Sequence, residues 1–169
     1  SVFMLTAFGL RIWDIDMRVL HHDESLHAYY SWVLYKGDGY IHNPMMHGPF
    51  QFFLTGSLFK VIGVSETILR LAPALFGSLL VGLPWLIRDK LGTWGAVACS
   101  LFLLASPSFL YFSRFARNDA YMCFWNLALV VAIWKYIDSG LNRYLYIIGA
   151  LMGLAFATKE TTFLTIGIF

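Results

Sequence analysis

The stretch GPFQFFLTGSLF, Gly48 to Phe59, decides how the chain is laid out. It opens on Gly-Pro, carries no charge and stops at Lys60. A helix that crosses a bilayer needs about 20 apolar residues, in a range of roughly 17–25. This run falls short, so it reads as an interfacial or re-entrant helix. The consequence reaches along the whole sequence. If 48–59 does not span, the loop Asp14–Ile68 shares one side with SRFARND (Ser113–Asp119) and TKET (Thr158–Thr161). If it does span, those charged clusters separate and no common site forms.

The surroundings are those of an integral membrane protein. Of 169 residues, 59% are hydrophobic and only 13% charged, about half the charge of a soluble domain. Mean hydropathy is +0.65. A net charge of +2, carried by scattered basic residues, gives no footprint for nucleic acid. Cys99 and Cys123 lie in apolar runs and read as core residues.

The spans are placed at about 1–13, 70–88, 93–112, 119–137 and 144–158, with the start of another at 161–169. Ser1–Trp13 is read as the outer end of a helix that begins before the chain, and the chain as an N-terminal fragment of a single multi-span domain. The external loop 14–69 is expected to hold interfacial helices at about 23–36 and 48–62. The connectors IRDKLG and KYIDSGLNR carry four basic and two acidic residues and take the cytoplasmic side. Gly149xxxGly153 and Ser78xxxGly82 are small-residue pairs suited to close helix packing.

One loop holds most of the titratable chemistry. VLHHDESLHAYYSWVLYKGDGYIHNPMMHGPF, Val19–Phe50, contains all five histidines and three of the ten acidic residues. His22 or Asp23 is the expected N-cap of a helix in which Asp23, His27 and Tyr30 share a face. Asp23 and Glu24 are catalytic candidates; the plainer reading is that they only cap the helix. His42 and His47 flank NPMM before the Gly-Pro turn. His47 with Asp23 or Glu24 could hold a divalent metal, although the loop lacks tight ligand spacing, so the cofactor stays open.

On the same side, SRFARND supplies Arg114, Arg117 and Asp119, and ATKE (Ala157–Glu160) supplies Lys159 and Glu160. Charges at membrane depth are costly and mark functional paths, and guanidiniums suit phosphate. Local salt bridges are the plainer reading of each. Together they fit an amphipathic substrate with a phosphate head and a hydrocarbon tail, and a carboxylate that deprotonates an acceptor while cations hold the departing phosphate.

The acidic pair early in the first loop, the His-containing turn before an interfacial helix, GVSETILRLAPALFG (Gly63–Gly77), SRFARND and ATKE together resemble the GT-C superfamily of polyprenyl-phosphate-sugar glycosyltransferases. The order and spacing are similar to the protein O-mannosyltransferase and aminoarabinose-transferase branch. Within it they look closest to the flippase-activity-associated family. The resemblance implies an all-α integral membrane bundle and sugar transfer from a polyprenyl-phosphate donor on the extracytoplasmic side. It implies Asp23 as base with Glu24 beside it, and His27, His47, Arg114, Arg117, Asp119, Lys159 and Glu160 around the substrate. HGPF departs from the relatives' pattern at His47. Two other readings stay open: a flippase or transport component for lipid-linked sugars, and a non-catalytic scaffold associated with a larger membrane complex.

Overall fold

The computed structural model describes residues 2–40 and 46–168, and among these it is helical with no strand. His42, a candidate from the sequence, lies outside the described residues. The order is α1 (Val2–Ile12), α2 (His22–Lys36), α3 (Phe50–Val61) and α4 (Glu66–Gly82). A 3-10 turn (Leu83–Ile87) leads into α5 (Arg88–Ala105), α6 (Pro107–Phe112), α7 (Asp119–Ser139), α8 (Asn142–Thr158) and α9 (Thr162–Ile168). Two helical runs, Glu66–Ala105 and Asp119–Ser139, are long and apolar enough to cross a membrane.

Local chemistry sets the boundaries. The N-cap of α2 is His21, not His22 or Asp23. Its Nδ1 accepts from the Asp23 N–H at 3.3 Å, while the Glu24 carboxylate accepts from the His21 N–H at 3.3 Å. This reciprocal pair satisfies backbone donors that a helix start leaves open. Gly37 (φ 99°) ends the helix in the left-handed region. The apolar run 93–112 is not one helix: α5 stops at Ala105, and Pro107, which has no N–H to continue the ladder, starts α6. The chain also breaks helical geometry at Gly92 (φ 69°, ψ 162°).

At twelve residues, α3 is about 18 Å long, well short of the ~30 Å hydrocarbon layer. It packs along α2, while α1 packs along α4 and α7 along α8. The central core joins Ala72, Tyr121, Met122, Trp125 and Ala155, flanked by Phe50 and Phe76. Phe76 meets Tyr121, Phe124 and Trp125 edge-on with centroids 5.0–5.2 Å apart, the arrangement aromatic quadrupoles favour.

Two glycines mark close approaches. A Cβ on Gly77 would fall 2.2 Å from Ser113 Cβ and 3.0 Å from Arg11 Nε, so α4 touches the α6 exit and α1 only because no side chain intervenes. A Cβ on Gly48 would fall 2.2 Å from the Ala157 carbonyl oxygen. The Gly48 N–H donates to the Thr158 carbonyl at 3.2 Å, which pins the first loop to the end of α8. Of the small-residue pairs, Gly82 packs against Met4 of α1, whereas Gly149 and Gly153 face open space among the described residues.

Candidate active site

Glu24 and Asp23 are neighbours in sequence and separate in space. Successive helical residues point about 100° apart, so one faces the bundle and the other faces out. Glu24 is completely buried. It accepts from Arg70 Nε at 2.9 Å and Nη2 at 3.1 Å, from Arg18 Nη2 at 3.1 Å and from the Ala116 N–H at 3.0 Å. Burial alone would raise its pKa. The hydrogen bonds from Arg70, Ala116 and His21, with the Arg70 charge, outweigh that and hold it below the usual carboxylate value. Arg70 also donates to the Ile15 and Arg18 carbonyls at 2.8 and 3.0 Å. The pair thereby ties the segment after α1, the start of α2, α4 and the turn before α7 to one point.

Asp23 faces away from that anchor, into a cleft of about 110 Å³. Its walls are Asp23, Leu26 and His27 from α2, Met46 and His47 before α3, Arg117, Asn118 and Asp119 at the start of α7, and Lys159 after α8. Arg117 bridges two carboxylates: Nη1 lies 3.4 Å from Asp23 Oδ2 and Nε 3.6 Å from Asp119 Oδ2. Lys159 Nζ is 3.1 Å from Asp119 Oδ1. Asp23, Arg117 and Asp119 are each about one-third exposed, so this network is open to a ligand.

His27 is nearly buried, with its ring 5.3 Å from that of Phe52. Burial, reinforced by His47 and Arg117, lowers its pKa to about 4, so the ring is neutral at pH 7. His47 holds a left-handed backbone (φ 63°) that a residue with a Cβ rarely adopts. Such strain persists where the surroundings impose it, commonly at functional sites. Its Nδ1 lies 2.9 Å from Glu160 Oε2, an ion pair when the imidazole is protonated.

Of the nine site residues read from the sequence, Asp23, His27, His47, Arg117, Asp119 and Lys159 line the cleft. Glu160 borders it through His47. Glu24 does not line it, being enclosed by its cations. Arg114 is also elsewhere: it donates to the Trp13 and Asp14 carbonyls at 2.6 and 3.0 Å, on a different face. Tyr30, expected on the Asp23–His27 face, does not line the cleft; like His27 it packs against Phe52, edge-on with centroids 6.2 Å apart. Among the described residues no three His, Cys, Asp or Glu side chains converge to hold a metal, and His47 is engaged by Glu160 instead. No step below uses a metal. Sequence reading missed Arg70, which looked like a residue at a span end, and Asn118, which carried no signal between two charged neighbours.

Residues 46–168 match the family described as dolichyl-phosphate-mannose-protein mannosyltransferase. The chain belongs to this family. The match covers most of the chain and bears out the GT-C-like membrane helical fold expected from the sequence. It supports a membrane glycosyltransferase of the mannosyltransferase type. It includes His47, Arg117, Asp119 and Lys159, while Asp23 and His27 precede it. No curated protein matches the chain.

Proposed function

We propose that the cleft transfers a sugar from a polyprenyl-phosphate donor to an acceptor hydroxyl, on the extracytoplasmic side, with Asp23 as general base. The observation that carries this reading is the convergence of Asp23, Arg117, Asp119 and Lys159 from three distant segments into one open cleft. The family's description as dolichyl-phosphate-mannose-protein mannosyltransferase supports the donor class.

In this scheme the acceptor O–H gives its proton to an Asp23 oxygen as its own oxygen attacks the anomeric carbon. The bond between that carbon and the phosphate oxygen breaks, and the polyprenyl phosphate leaves with the electron pair. Arg117 and Lys159 hold the developing charge; a fixed guanidinium and an ammonium stabilise phosphate in a partly desolvated site far better than water does. Asp119 sits between the two cations and keeps them in place before the donor arrives. Glu24 sets the position of α2 through Arg70, and with it the direction of Asp23.

The test is transfer of radiolabelled sugar by the full-length protein in proteoliposomes, from a panel of polyprenyl-phosphate sugars and the corresponding nucleotide sugars. The expected result is transfer from a lipid-phosphate donor and none from a nucleotide sugar. Transfer from nucleotide sugar alone would contradict the reading.

A further inference from the structure

Asn118 is an anomaly in the cleft wall. It is 2% exposed, it stands between Arg117 and Asp119, and neither its amide nitrogen nor its amide oxygen has a hydrogen-bond partner. Across the cleft, His27 Nδ1 is likewise buried without a partner. An unsatisfied buried polar atom costs about 1–3 kcal/mol, and most native ones are paired. Three such atoms belong to two residues that line one cleft, and the fold offers none of them a partner.

The chemistry of these atoms says what kind. A phosphate only accepts hydrogen bonds, and the cations of Arg117 and Lys159 already suit it. An amide offers both a donor and an acceptor, and a neutral imidazole does the same across its two nitrogens. The complementary group is one that both donates and accepts, which is a hydroxyl. Adjacent hydroxyls on a pyranose ring present that pair at the spacing an amide spans. The terminal torsion of Asn118 is broad, so its amide can reorient to meet a bound hydroxyl.

We propose that Asn118, assisted by His27, reads the hydroxyls of the donor's sugar ring and so determines which sugar the cleft accepts. This rests on the glycosyl-transfer reading above and adds the residue that sets sugar specificity. A site built to hydrogen-bond a hydroxyl rejects the analogue lacking it by large factors, because its own polar atoms are then stranded.

The experiment measures binding of polyprenyl-phosphate mannose and its single-deoxy analogues to the full-length protein in nanodiscs, in an Asp23→Asn background, with transfer followed separately in the native sequence. With Asn118 present, at least one deoxy analogue is expected to bind more than about 10²-fold more weakly than the parent. Asn118→Ala should weaken the parent and erase that difference. Asn118→Asp, which keeps the shape and acceptor but loses the donors, should weaken the parent and flatten the difference in part. Equal weakening of parent and all analogues in both variants, or an unchanged pattern, would overturn the assignment. Donor that binds with this pattern but is not transferred by the native sequence would contradict the transfer reading and uphold the role of Asn118. No donor binding at all would overturn both.

Discussion

Glu24 and Arg70 form a two-point ion pair, at 2.9 and 3.1 Å, with both side chains sealed from solvent. Two adjacent acids of one helix thus have opposite surroundings: Glu24 is saturated with donors and Asp23 is open to the cleft. Removing one partner of a buried pair leaves an uncompensated charge, at a cost of about 3–5 kcal/mol. Glu24→Ala should therefore sharply lower the thermal unfolding temperature of the full-length protein in detergent. Asp23→Asn should leave it close to that of the native sequence. Comparable melting of Glu24→Ala and the native protein would contradict the anchoring role.

Acidification should act in two separate windows. His27 has its pKa lowered to about 4 in the fold from the ordinary imidazole value of 6.5, so the unfolded chain takes up a proton between those values and the folded one does not. Stability then falls as pH drops from about 6.5 to about 4 and levels off below, a loss of about 3 kcal/mol. Glu24, whose folded pKa is lowered, contributes stability above the unfolded carboxylate value and loses it only as pH falls through its folded pKa. Melting curves from pH 7 to pH 4 should show the first window in the native protein and lose it in His27→Phe. A native protein whose melting is flat over that range would contradict the assignment.

The two arginines of SRFARND should separate in kinetics. Arg117 touches Asp23 and Asp119, whereas Arg114 donates to the carbonyls after α1. Arg117→Ala should weaken donor use by about 10–100-fold, as expected for a charge-assisted contact worth about 1.5–3 kcal/mol. Arg114→Ala should change the KM for donor by no more than a few-fold. Equal effects of the two substitutions on donor KM would show that the cleft has been misassigned.

Gly48→Ala tests the tether that presents His47. The new Cβ would meet the Ala157 carbonyl oxygen, and backbone there has little room to give. The expected cost is about 1–3 kcal/mol in stability, with reduced transfer as His47 and the end of α8 move apart. Gly149→Ala, in open space, is the control and should be neutral in both assays.

Much of this arrangement was legible in the sequence, and the exceptions have physical causes. The helical class followed from long uncharged runs, and the shortness of 48–59 from its Gly-Pro start and Lys60. The gathering of Asp23, Arg117, Asp119 and Lys159 followed from counting which loops fall on one side. Glu24 was misread because adjacency in sequence says nothing about facing: the helix turns it about 100° away from Asp23. Arg114 and Arg117 straddle an irregular turn, so closeness in sequence did not place them together. Arg70 and Asn118 were illegible because their roles depend on partners, or on missing partners, far along the chain.

The most direct measurement of the central claim is single-turnover sugar transfer from the lipid-phosphate donor by the full-length protein and its Asp23→Asn variant, with melting temperatures recorded alongside. Loss of a positioned general base predicts transfer slowed by at least about 10²-fold in a variant that melts like the native protein. Equal transfer rates in the two would contradict Asp23 as the base.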